Sequence, residues 1–404
     1  MRLKARYSGF YMGLLSLYIV AMVLGDSNYT QIAFVDSSLT VLKLIVLAGL
    51  SLIILINKKW KERKYSLLLL TILAINIIGM FQNGLEINII NLVLLIFASE
   101  RVKITKIFKT FLMVYTICVL FVVASSLLGI VEDSINIRYS GDIIARLILH
   151  SDRYVRHSYG FLFSNQIPFA LLTLYLVMIA LMGENEKNSW HVVIQLLNVI
   201  TFILSGARII FVLIVLSLIF CLIKNKSKHD GFGNTLRAIV KWIYPVLTLF
   251  CLSAVYVFYD KIPYWLNAGT NFRFTYAYRT ISTYGLHLFG SGFSAGTTNS
   301  IVSNYAILDN GYLMLLVQRG ILMGIFVIMM WTAISCIAAK KNNTYIIIPL
   351  IIIALANLID YHILSYRFLP FMILVLHRKD ASLDYLGRSK KLNNKTIAIG
   401  GAGK

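Results

Sequence analysis

Prolines are few, five in 404 residues, so little in the chain interrupts long helices. Pro168, Pro349 and Pro370 fall within or beside apolar runs, where neighbouring helices can satisfy the carbonyls that a kink frees. Cysteines are fewer still. Cys118, Cys221, Cys251 and Cys336 all lie in apolar runs without metal-ligand spacing, which leaves no case for a zinc site and says nothing about redox compartment. Acid is scarce beside base, 17 Asp and Glu against 38 Lys and Arg, for a net charge of +21. There is no soluble domain, no repeat and no low-complexity tract beyond a basic tail at 378–404. A Walker loop is missing, so nothing in the sequence suggests ATP use. The glycines at 290–296 lack the strand–turn–helix setting of a dinucleotide loop.

What the chain has is apolar surface. Hydrophobic residues make up 58% of it and the mean hydropathy is +0.77, more than a water-soluble domain can hide. Apolar runs of spanning length predict an all-α, polytopic bundle of about 12 spans, or eleven if the last two fuse, over 1–377. The longest stretch unsuited to hydrocarbon, 260–308, becomes one large extracytoplasmic loop. The start, M-R-L-K-A-R and an apolar run, has the look of a signal peptide but is read as a retained first span, because many spans follow.

Twenty-seven of the 38 basic residues fall in segments that this topology puts on one side. By the positive-inside rule that side, with both termini, is cytoplasmic in a multi-pass protein of the cell membrane. Nucleic acid is not needed to explain the charge. The remaining basic residues are Lys43, Lys261 and nine arginines: Arg138, Arg146, Arg153, Arg156, Arg208, Arg273, Arg279, Arg319 and Arg367. Lysine dominates inside and arginine outside, and a topology signal has no reason to change residue type. The planar guanidinium pairs bidentately with phosphate or carboxylate and keeps its proton. Anion binding near lipid is one reading, and internal pairing with carboxylates on the same side is the other.

Arg146, His150, Arg153 and His157 are spaced four, three and four apart, which predicts one stripe on an interfacial helix. His191, in an apolar run, reads as packed rather than ligating.

Four local patterns carry a family resemblance. Arg156-His-Ser-Tyr-Gly160 is followed by Asn165-Gln-Ile-Pro168; Ser205-Gly-Ala-Arg208 forms a tight hairpin. Arg273 precedes Leu288-Phe-Gly-Ser-Gly292, and Asp309-Asn-Gly-Tyr-Leu313 runs on through Gly320 and Gly324. In this order and topology the chain resembles the Wzy-type polysaccharide polymerases of the O-antigen ligase/polymerase superfamily. The resemblance implies glycosyl transfer on the outer face of the cytoplasmic membrane, using oligosaccharide repeats carried on undecaprenyl pyrophosphate, without metal or other cofactor. It implies as partners that lipid-linked oligosaccharide, membrane lipid, and the flippase and chain-length regulator of the same pathway. Arg208, Arg273 and Asp309 are the candidate catalytic residues. Arg146, Arg153, Arg156, Arg279, His157, His287 and Asn310 are candidates for substrate binding. In the ligase branch a histidine stands where this chain has Asp309. Aspartate there can act as general base or orient an arginine, whereas the bland reading has Asp309 or Asn310 simply capping the next helix. A lipid-linked oligosaccharide flippase and an O-antigen-type ligase are the alternatives.

Overall fold

The computed structural model describes residues 2–56, 70–79, 87–139, 153–183, 188–226, 231–269, 272–291, 308–360 and 363–377. Helices dominate them. α1 (Arg2–Gly25), α2 (Ala33–Ile56), α3 (Leu70–Gly79), α4 (Ile87–Ala98) and α5 (Ile104–Leu127) come first. After a short pair of strands follow α6 (Gln166–Met182), α7 (Asn188–Ser205), α8 (Arg208–Lys226) and α9 (Gly231–Tyr256). Then come the short α10 (Tyr264–Gly269) and α11 (Arg273–Tyr284), followed by α12 (Gly311–Lys340), α13 (Thr344–Ala356) and α14 (Tyr366–Val375). Among the described residues α1, α2, α5, α8, α9 and α12 are the six long and apolar enough to cross a membrane; α3, α6, α7, α13 and α14 are apolar but shorter. The chain therefore has the build of a multi-pass membrane protein. The basic tail 378–404, residues 57–69 and Arg146 lie outside the described residues.

α6 and α13 are buried almost all round, as expected of helices without a polar face. α6 sits among α5, α7, α8 and α13, while α9 packs on α12 and α13. Tyr244 stacks on Trp331 with ring centroids 5.3 Å apart. Both polar tips are satisfied, Tyr244 Oη by the Leu350 carbonyl at 2.9 Å and Trp331 Nε1 by the Ile363 carbonyl at 3.1 Å, as buried Tyr and Trp require. His191 is packed, its Nδ1 2.7 Å from the Tyr175 hydroxyl. Elsewhere large apolar side chains face outward, among them Met113, Ile117, Leu120 and Phe121 on α5 and Val246, Leu249 and Phe250 on α9. Such continuous apolar faces suit lipid rather than water.

The interfacial helix expected around Arg153 and His157 is not formed. β2 (Arg153–His157) is a strand, paired antiparallel with β1 (Ile135–Tyr139) so that Ile135 faces His157 and Tyr139 faces Arg153. A partner strand supplies the ladder, and Tyr154 and Val155 are good strand formers. The spacing that suggested a helical stripe was read without that partner. Alternation puts the neighbours Arg156 and His157 on opposite faces of the strand.

α12 is broken. Gly320 has φ 86° and ψ 166°, a conformation reserved in practice for glycine. Beyond it the helix turns back sharply: a Cβ built on Gly324 would lie 3.9 Å from Leu316 Cα, residues that stand roughly 12 Å apart along a straight helix. The break frees backbone groups on both halves, and the segment before α12 satisfies them. Ile321 N–H donates to His287 O at 2.9 Å and Leu322 N–H to Leu288 O at 3.2 Å. In return Val317 O accepts from Ser291 N at 3.1 Å and Ser291 Oγ at 3.0 Å. The Leu288-Phe-Gly bend and the Gly320 glycine are thus two halves of one joint.

Candidate functional site

The candidate residues gather at the end of the bundle where α1, α5, α7, α9 and α13 stop. Polar contacts link the connecting segments there. Asn28 N–H donates to Gly160 O at 2.8 Å and Leu162 N–H to Asp26 O at 3.1 Å. Asn165 Nδ2 donates to Asp360 Oδ2 at 3.1 Å, and Gly311 N–H to Asn357 O at 2.8 Å.

The first cluster is Arg273 with Asp309. α11 buries Ala277, Thr280 and Ile281, and Arg273, one turn before Ala277, lies on that inward face. Its Nη2 stands 3.8 Å from Asp309 Oδ2. Its Nη1 is buried and has no hydrogen-bond partner among the described residues. Arg279, on the other side of α11, is exposed.

Asn310, rather than Asp309, caps α12. Asn310 Oδ1 accepts from Tyr312 N at 3.1 Å and Leu313 N at 3.0 Å, while Nδ2 donates to Leu358 O at 3.1 Å and to Cys251 Sγ at 3.3 Å. With Gly311 N–H on Asn357 O and Met314 N–H on Asn310 O, the first four donors of the helix are all satisfied. This helix N-terminus therefore offers no free N–H to an anion. Asp309 is left half-exposed with no part in the cap. Burial pushes its carboxyl above the ordinary 3.8, against the pull of the Arg273 guanidinium.

The second cluster is the hairpin between α7 and α8. Gly206 takes φ 64°, and Ser205 Oγ accepts from Ala207 N at 3.3 Å. Arg208 opens α8 at this turn and is exposed. Arg156 Nε donates to Ser205 O, so β2 is tied to the hairpin and part of Arg156 serves structure.

The third cluster was only half visible in the sequence. His157 Nδ1 is 2.6 Å from Asp133 Oδ2, and Asp133 Oδ1 accepts from Tyr159 N at 2.7 Å, Ser158 N at 2.9 Å and Ser158 Oγ at 3.1 Å. Burial raises the Asp133 carboxyl, but the bonds from His157, Tyr159 and Ser158 outweigh it and hold the group below the ordinary carboxylate value. Asp133 belongs to no motif. Only the pairing of Ile135 with His157 brings it near.

Two further residues resolve in the bland direction. His287 is exposed and its Nε2 meets Tyr284 O at 2.9 Å, so its visible work is its backbone carbonyl at the α12 break. Arg367, 1% exposed, donates to Asp26 Oδ2 at 2.8 Å, where the Tyr366 hydroxyl also donates at 2.9 Å. That arginine is an internal ion pair, as a buried charge requires. The side chain of Arg153 lies outside the described residues, as does Gly292. Among the described residues no group of His, Cys, Asp and Glu is placed to hold a metal ion. No family model, curated protein or solved structure matches this chain.

Proposed function

We propose that the chain is a Wzy-type polysaccharide polymerase, working on the outer face of the cell membrane with both termini in the cytoplasm. The observation that carries the reading is the pairing of an inward arginine, its fork only partly engaged, with a half-exposed carboxylate that the neighbouring asparagine has freed from capping. Excess lysine on the opposite side and the order of the four motifs support the same reading.

The reaction needs two things from the protein. The growing glycan leaves its lipid diphosphate as the anomeric C–O bond breaks, and the electron pair goes to the diphosphate oxygen. Fixed positive charge stabilises that developing anion; Arg273 supplies it, with Arg208 at the hairpin as the second candidate. The attacking hydroxyl of the next repeat unit forms the new C–O bond and must lose its proton, which the Asp309 carboxylate accepts. Arg156 and His157, at the same end, are the candidates to position sugar.

The test is direct. Purified protein given a synthetic lipid-diphosphate repeat unit should produce a ladder of glycan lengths. Transfer of one finished chain to another acceptor would identify a ligase, and no transfer at all would leave the flippase reading. For orientation, in a variant stripped of its native cysteines, a cysteine at Ser300 should label in intact cells and one at Ser227 should not.

A further inference from the structure

The proposed reaction asks Arg273 to hold a diphosphate, yet its guanidinium already faces an anion. The contact with Asp309 is 3.8 Å, beyond hydrogen-bond range, and Nη1 lacks a partner among the described residues. Charge engages the fork while, among the described residues, its N–H groups make no directed bond to the carboxylate. Asp309 is equally uncommitted, because Asn310 Oδ1 takes the Tyr312 and Leu313 N–H groups that a capping aspartate would claim. A half-exposed ion pair without strong bonds contributes little to stability, so the fold does not require this pairing.

We propose that Asp309 is a stand-in anion on Arg273, displaced by the diphosphate of the lipid-linked substrate and thereby released to accept a proton only when the site is filled. This inference rests on the lipid-diphosphate reading given above. Two phosphate oxygens can take both arms of the guanidinium fork, which a carboxylate at 3.8 Å does not. Once they do, the cation that held Asp309 in its charged form is neutralised, and a second anion stands beside it. Both changes raise the proton affinity of the carboxylate, adding to what burial already does. The group becomes a stronger base at the moment an acceptor hydroxyl can be used, and a weaker one in the empty enzyme.

Competition for one guanidinium makes a prediction opposite to that for a helpful binding residue. Full-length protein in detergent would be titrated with farnesyl diphosphate, comparing wild type, Asp309→Asn, Asp309→Ala, Arg273→Gln and the Arg273→Gln/Asp309→Asn double variant. Removing the carboxylate should tighten diphosphate binding by roughly tenfold, within the range for coupled neighbours, in both Asp309 variants. Arg273→Gln should weaken binding, and Asp309→Asn should then give no gain. Wild-type binding that is unchanged or weakened by both Asp309 substitutions overturns the stand-in while leaving the diphosphate site intact. A gain that persists without Arg273 overturns it as well, since it would come from net charge alone. If neither wild type nor any variant binds the diphosphate, the functional reading fails and the inference with it.

Discussion

Gly320 and Leu288 meet backbone to backbone: a Cβ added to Gly320 would fall 2.6 Å from the Leu288 carbonyl carbon and overlap the carbonyl oxygen and Gly290 N. None of these atoms is the end of a flexible side chain, so the joint cannot give locally. Gly320→Ala adds a left-handed φ to that overlap, and strain plus overpacking together should cost about 3–5 kcal/mol. Gly324→Ala is the control. Its Cβ would meet the tip of Leu316, with Cγ at 3.4 Å, and a rotamer change should keep the cost to about 1 kcal/mol. Thermal unfolding of the two variants in detergent should rank them so; equal stability would mean that the 287–291 segment does not clamp the α12 break.

Capping and the proposed catalytic role fall to neighbouring residues, which separates two variants cleanly. Asp309→Asn should keep unfolding temperature and membrane level at or above wild type while glycan elongation falls ~10²–10⁴-fold, as for loss of a general base. Asn310→Asp keeps a capping acceptor but loses the donor to Leu358 O and sets a carboxylate against that carbonyl. It should therefore lower stability more than Asp309→Asn does. Near-normal ladders from Asp309→Asn would remove it from the reaction and turn attention to His157.

The helices were legible because hydrophobic run length is a local property, and each of the six long apolar helices among the described residues overlaps an apolar run of the sequence. The motif glycines were visible too, but not their purpose: Gly320 matters through Leu288 and Gly290, a relationship only the folded chain creates. Asp309 and Asn310 are near-equal caps in sequence, and what separates them is the reach of Asn310 Nδ2 to Leu358 and Cys251. β2 was misread because a strand depends on its partner, here 135–139. Of the surplus arginines, Arg367 is paired internally with Asp26, as one of the two readings had it, while Arg273 retains an unfilled nitrogen among the described residues.

α11 offers a built-in comparison of two arginines. Arg273 faces Asp309, and Arg279 is exposed on the same helix. Replacing a bidentate guanidinium by an ammonium keeps charge and loses the fork. Arg273→Lys should lower elongation by ~10²-fold, the scale of one lost transition-state donor. Arg208→Lys should also fall, whereas Arg279→Lys should stay within about twofold of wild type on the same scale. A reversed order between Arg273 and Arg279 would mean that the inward face of α11 is scaffold.

Asp133 and Asp309 make opposite statements about acid stability. Asp133 is held below its ordinary 3.8 because, although burial raises it, hydrogen bonds from His157, Tyr159 and Ser158 favour the charged form. Between its folded and ordinary values the unfolded chain binds more protons, so stability rises with pH there. The contribution is complete above the ordinary value and is lost as pH falls through the folded one. Asp309 is raised by burial in spite of Arg273, so the folded chain binds more protons above 3.8 and stability falls as pH rises through that window. Unfolding temperature measured from pH 3 to pH 7 should therefore show two separable changes. Asp133→Asn should flatten the loss of stability below about pH 4, the ordinary aspartate range. Asp309→Asn should leave that acid limb in place and remove the decline above it. An acid limb in Asp133→Asn as steep as in wild type would show that the His157 pairing does not hold β2 to the loop before β1.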